Sequence, residues 1–302
     1  MTLISVLVAL GLDRLLFAQR DSIGAHWCAR AYDAIAVRLP SAWDGVGGAL
    51  LIIALPVILI GAIQWVLYGL LFGLISLLFS IVVLLLSLGP LDIVGLIDRY
   101  IEACENEDRE QAVWYYERVT GTEPPESVRD EGRRMVESVL YQGHDNLFAT
   151  VFWFCLLGPV GAVLYRAVAE GALRPSPALV ARPGLQRAFR HLLGLLGWIP
   201  ARLIAFGYAM TGSFEEALHR LREGAPPAED LLASNRDLLR RTGTASLRQT
   251  DVDEEETEVD TRGERRSSNP APAVAQARAL ALRTAVFWLA ALALLTLAGW
   301  FG

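Results

Sequence analysis

The sequence predicts an all-α protein: a polytopic bundle of membrane helices joined by water-facing helical segments. Three observations predict it. Between Asp44 and Asp92 the chain runs 47 residues without an Asp, Glu, Lys, Arg or His. About 20 apolar residues cross a hydrocarbon core of roughly 30 Å, so this stretch suffices for two crossings and outruns any buried soluble helix. Further apolar runs occupy 147–165, 191–211 and 284–302. Yet 20 % of the residues are charged against 53 % apolar, so a water-facing part accompanies the membrane part.

The net charge is −6, from 33 acidic and 27 basic residues, and every basic residue is Arg. An acidic total argues against nucleic acid as a partner; the lipid bilayer is the partner the composition demands. Three distant cysteines, Cys28, Cys104 and Cys155, form neither a disulfide framework nor a metal pattern, and a reducing compartment suits them. The N-terminus lacks a basic region before Asp13 and a small-residue cleavage site, so it reads as a retained helix rather than a signal peptide.

The first unit, 1–91, holds an N-terminal helix (Thr2 to Leu16) and a hairpin made from the charge-free stretch. Two legs of about 20 residues put the turn near Trp65 to Leu70, with Pro56 kinking the first leg. The second unit, 92–146, carries 14 acidic and 6 Arg residues. Ile93, Leu96, Ile97, Tyr100 and Ile101 form a helical stripe, Val113, Tyr116 and Val119 a second, and Ser127 caps a third helix from Val128 to about Tyr141.

The third unit, 147–211, contains two imperfect apolar runs interrupted by Gly158-Pro159 and Ile199-Pro200. Between them, 166–190 carries five Arg and one acidic residue. Arg30, Arg38 and Arg99 flank the hairpin, so the positive-inside rule puts the soluble segments mainly in the cytoplasm. Simple crossing by 147–165 would export the Arg-rich connection, so both runs are expected to be broken or re-entrant. Helices at Phe214 to Arg222 and Glu229 to Arg241 belong to a unit 212–248. An acidic tether, 249–283, is expected to be disordered, and the last spanning helix is expected at 284–302.

The candidate ligand-binding residues are Glu137, His144, Asp145, Arg166, Trp198 and Arg202. Glu137, Tyr141 and His144 or Asp145 share one helical face at a membrane boundary, where they could bind a polar head group or a metal ion. A solvated helix end capping a membrane segment has the same pattern. Arg202 stands in a segment otherwise apolar for nearly 20 residues, and a charge in lipid needs a partner. With Arg166 it makes an anion site, or else a structural ion pair with Glu137, Asp145 or Glu170, or a snorkelling side chain. A P-loop is impossible without Lys, and no nucleophile elbow or H-E-x-x-H run occurs. No catalytic residue, metal ligand or cofactor is expected.

Phe152-Trp153-Phe154 through Leu157-Gly158-Pro159-Val160-Gly161-Ala162-Val163-Leu164-Tyr165-Arg166 resembles the FWF..LGP.GALLYR signature of the AmpE family. Trp198-Ile199-Pro200-Ala201-Arg202-Leu203, Tyr208-Ala209 and Gly212 to Leu218 resemble its second signature. The resemblance implies a bacterial inner-membrane, multi-pass regulatory protein tied to β-lactamase induction and cell-wall turnover. It implies no catalysis, and a cell-wall amidase or other cytoplasmic partner reached through 92–146. That family is in turn similar to the membrane-bound adenosylcobinamide-phosphate synthases. Glu137-Ser138-Val139, Tyr165-Arg166-Ala167 and Pro200-Ala201-Arg202 match parts of their motifs. Leu140-Tyr141-Gln142 and Ala169-Glu170-Gly171-Ala172 replace the amide and carboxylate runs those enzymes carry. The alternative this leaves is a membrane enzyme condensing an activated acid with an amine.

Overall fold

The computed structural model describes residues 5–9, 11, 32–40, 43–67, 74–88, 92–215, 217, 219, 230–255 and 269–298. Among these the regular structure is helical, with no strand, and the protein is an all-α membrane protein. The charge-free stretch becomes α1 (Val46–Leu67) and α2 (Leu74–Ser87). At 1.5 Å per residue α1 is about 33 Å long, a full crossing, and it runs unbroken through Pro56. Trp65 still belongs to α1; the remainder of the expected turn, 68–70, lies outside the described residues. Leu50, Leu55, Ile58, Leu59 and Trp65 are exposed, a surface suited to hydrocarbon rather than water. Of the N-terminal helix, residues 5–9 and 11 are helical, and Val6 and Ala9 pack with Ile81 and Leu84; Asp13 and Arg14 lie outside the described residues.

The acidic segment folds as α3 (Asp92–Glu105), α4 (Arg109–Thr120) and α5 (Val128–Gly143). Gly121 closes α4 with φ +71°, a left-handed conformation that costs glycine little. Ser127 caps α5 as the spacing predicts, its hydroxyl accepting the Asp130 N–H at 3.5 Å. Tyr100, Tyr116, Met135 and Leu140 pack in one cluster with residues from three later helices, including Ala205, Tyr208, Leu239 and Val274. The acidic helices therefore share a core with the rest of the protein.

From α5 the chain continues through a π turn, His144–Phe148, into α6 (Ala149–Leu157). Gly158 takes φ +68° and Pro159 opens α7 (Pro159–Leu173) at a position where its missing N–H costs nothing. The helices then fold back on each other: Phe154 packs in one cluster with Ala162, and Ala149 in another with Tyr165. α6 is only about 13 Å long, shorter than the roughly 30 Å of a hydrocarbon core. The tip of this hairpin meets the far end of α1, where Gly61 faces Val160 and Gly158 faces Gln64.

A short α8 (Pro177–Val180) leads to α9 (Pro183–Thr211), which runs uninterrupted through Ile199-Pro200. The expected break there does not occur, because the carbonyl that Pro200 deprives of its helical partner finds another donor. Asp44, the last charge before the charge-free stretch, caps the start of α9, accepting from Leu185 N at 2.7 Å and Gly184 N at 3.3 Å. Beyond it, residues 214, 215, 217 and 219 are helical and the rest of the expected helix to Arg222 lies outside the described residues.

α10 (Leu231–Glu255) extends past the predicted end at Arg241, and α11 (Ala271–Leu297) begins 13 residues before Thr284. Both ends of the expected tether are thus helical, and 256–268 lie outside the described residues. The Ala- and Leu-rich start of α11 buries Val274, Ala277 and Leu280, and Arg278 grips Asp98 of α3 at 2.5 and 2.8 Å. α10 runs parallel to α9: Gly194 meets Leu232, Gly197 meets Asn235, and the Tyr208 carbonyl accepts Ser246 Oγ. The glycines let the two backbones approach closely. Among the described residues three helices, α1, α9 and α11, are long and apolar enough to cross a membrane.

Candidate functional site

A buried polar cluster forms where the π turn, α7, α9 and α10 meet. The π turn bonds Ala149 N–H to His144 C=O, five residues back, and so widens the helix by one residue. Two consecutive polar side chains are thereby buried, His144 and Asp145, each 3 % exposed. His144 Nδ1 lies 2.9 Å from Asp145 Oδ1, and Arg236 Nη2 donates to Asp145 Oδ2 at 2.8 Å. The Arg236 guanidinium also lies over the Tyr141 ring, 4.9 Å from its centroid.

Burial raises the Asp145 pKa. The hydrogen bond from His144 and the charge of Arg236 outweigh that and hold its carboxyl below the usual carboxylate range. Asp145 precedes the apolar run that starts at Leu147 and lies outside it. The other ring nitrogen, His144 Nε2, is buried and has no partner among the described residues. The Tyr165 hydroxyl, buried on α7 within reach of the charges of Asp145, Arg166 and Arg236, is likewise without one.

The six residues singled out by sequence fall around this cluster in three groups. His144 and Asp145 are its centre. Glu137, nearly two turns back on α5, is held by Arg240 at 3.5 Å, and Arg240 also binds Asp237 at 2.5 Å. Arg166 pairs with Glu170 one turn on, and Glu170 binds Arg174 at 3.1 Å. Trp198 and Arg202 stack on each other at 3.7 Å on the exposed side of α9, outside the buried cluster. Arg202 reaches its rim through Asn235 Oδ1 at 3.4 Å, while Asn235 Nδ2 donates to Gly194 C=O at 2.8 Å. A Cβ added at Gly197 would stand 3.4 Å from both Asn235 Nδ2 and His144 Cε1, so this glycine lets the two meet.

Sequence reasoning found a helix at 229–241 but not the part that α10 plays in the site. Asn235, Arg236, Asp237 and Arg240 supply most partners of the predicted residues, yet the segment reads only as a helical stretch. The signal was Ser234-Asn235-Arg236-Asp237 set between Leu231-Leu232 and Leu238-Leu239: polar groups inside a leucine frame. Seven arginines (133, 166, 174, 202, 236, 240, 241) stand against four carboxylates (137, 145, 170, 237) across the three groups. The region therefore favours an anion. No group of three His, Cys, Asp or Glu that could hold a metal occurs among the described residues. The other face of the π turn is apolar: Leu147 and Phe148 line a cavity of about 280 Å³ with Trp288 and Leu292 of α11.

A helical membrane protein with a buried polar cluster among its helices is the class that fold and site define. The chain matches the family described as regulatory signalling modulator protein AmpE over residues 1–300, and it belongs to that family. Over 102 residues it is 38 % identical to cobalamin biosynthesis protein CobD of Stutzerimonas stutzeri, 31 % of each chain. Over 126 residues it is 32 % identical to the same-named protein of Chromobacterium violaceum, 39 % of this chain and 37 % of that one. The matched parts thus span about a third of these curated relatives. No solved structure matches the chain.

Proposed function

We propose that this protein is an inner-membrane regulatory component of the response to β-lactams and cell-wall turnover. In this reading it binds an anionic signal ligand at the region formed by Glu137, His144, Asp145, Arg166, Trp198 and Arg202. Its soluble helices face the cytoplasm, where 92–146 meets a partner such as a cell-wall amidase. Membership of the AmpE family over nearly the whole chain carries the reading. The uncapped His144 Nε2 and the arginine excess across the three groups support a ligand role for the region.

The test replaces Arg202 by Ala in the chromosome and follows β-lactamase activity after β-lactam challenge, with membrane abundance measured alongside. Loss of the induced response at unchanged abundance is the expected result. An unchanged response, or loss in step with the amount of folded protein, overturns the ligand role.

The similarity to cobalamin biosynthesis proteins favours a second reading, a membrane enzyme condensing an activated acid with an amine. Purified protein supplied with nucleotide, Mg²⁺ and acid–amine pairs tests it; absence of nucleotide turnover with every pair removes it.

A further inference from the structure

We infer that α9, although long and apolar enough to cross a bilayer, does not cross it. It lies along one membrane surface and docks its exposed stripe on the lipid boundary of that leaflet. At 29 residues it is about 43 Å long, so a transmembrane course would carry its ends to opposite sides.

The ends are instead pinned to one side. Its start is capped by Asp44, and Gly48 at the beginning of α1 packs against Leu185. Its finish is tied to α11 by Thr211 and Thr284, whose hydroxyls are 2.8 Å apart. Thr284 follows directly on the part of α11 that packs with the polar helices α3 and α5 through Arg278–Asp98 and Gly132–Pro270. The α6–α7 hairpin descends from α5, and its tip meets the far end of α1 at Gly61 and Gln64. The near end of α1, where α9 starts, therefore lies on the α5 side, the side where α9 finishes.

The side chains fit that course. Leu195, Trp198, Ile199, Phe206 and Met210 are exposed and recur at helical spacing along one face, with Arg202 in the middle stacked on Trp198. Arg202 bonds the Trp198 carbonyl and Asn235, and no carboxylate pairs with it among the described residues. An apolar stripe interrupted by Trp and Arg suits the head-group boundary, where the ring sits at the interface and the guanidinium reaches the polar layer. The opposite face is buried against α10 and the hairpin. On this course the Arg-rich connection 166–190 stays on the same side as α5, as the positive-inside rule asks.

The full chain reconstituted in phosphatidylglycerol-containing vesicles tests this without any substitution. An apolar carbene reagent confined to the bilayer centre should label α9 roughly tenfold less than α1 and α11. Spin labels placed singly at Leu195→Cys, Ile199→Cys, Phe206→Cys and Met210→Cys, with the native cysteines replaced by Ser, should report one common shallow depth. Labelling of α9 equal to that of α1, or a depth profile passing through the bilayer centre, overturns the inference. So does a stripe found in water or covered by a second protein copy.

Discussion

The indole N–H of Trp153 donates to the carbonyl oxygen of Leu196 across 3.1 Å. That carbonyl is the one Pro200, four residues on, cannot serve with an N–H. The proline removes a rung from α9, and the hairpin fills the gap with a tryptophan 43 positions upstream. This is why α9 stays whole at Ile199-Pro200 while the chain reverses at Gly158-Pro159, where the glycine has φ +68°.

Trp153→Phe should therefore strand a carbonyl and cost about 1–3 kcal/mol. In a Pro200→Ala background the restored N–H serves Leu196, and the same change should cost less. Thermal unfolding of the four proteins in detergent measures the coupling; additive shifts would show that the two sites are independent.

Arg236, half-buried on α10, pairs with the buried Asp145 of the π turn. Arg236→Met leaves the buried Asp145 without its cation and should destabilise by about 3–5 kcal/mol, and Asp145→Leu should cost less because Arg236 reaches water. The double substitution should recover most of that loss. Unfolding temperatures of single and double variants decide it, and a double variant as weak as the sum of the singles contradicts the pairing.

The depressed pKa of Asp145 sets the sign of one pH effect. A carboxyl titrating lower in the folded than in the unfolded chain contributes stability that is complete above its unfolded value, about 3.9. That contribution is lost as pH falls through the lower folded value. Wild type should thus hold its stability from neutrality to about pH 5 and lose part of it below pH 4, a limb that Asp145→Asn should flatten.

Arg202 sits on the exposed side of α9 and is held by a stacked ring and two neutral hydrogen bonds. Arg202→Ala should cost no more than about 1 kcal/mol. A large drop in unfolding temperature would make its role structural and undercut its use as a test of signalling.

Sidedness can be read with an impermeant maleimide. Glu123→Cys, exposed between α4 and α5, should react only after cells are permeabilised. Trp65→Cys, at the far end of α1 and 82 % exposed, should be the more accessible of the two in intact cells. The reverse pattern would place the acidic helices outside.

Local patterns were legible in the chain. The stripe at Ile97 and Tyr100, the Ser127 cap and the Gly158-Pro159 reversal each depend on residues a few positions apart, and each stands as the spacing predicts. The Arg166–Glu170 pair is of the same kind, an i,i+4 contact. The start of α11 was misjudged because its acidic neighbours dominate the composition, whereas Val274, Ala277 and Leu280 supply a buried face.

By itself the sequence determined that this protein is helical and lives in a membrane. Apolar length and helical periodicity are local properties, and a 47-residue run without charge has few other uses. Only the tertiary structure decided that Asp145 is neutralised from α10, 91 residues away, and that Trp153 mends the helix at Pro200. It alone separated Arg202 from the buried cluster. Such pairings follow from which helices pack together, and helix packing is settled by shape and buried polar balance over the whole bundle, not by the spacing of neighbours along the chain.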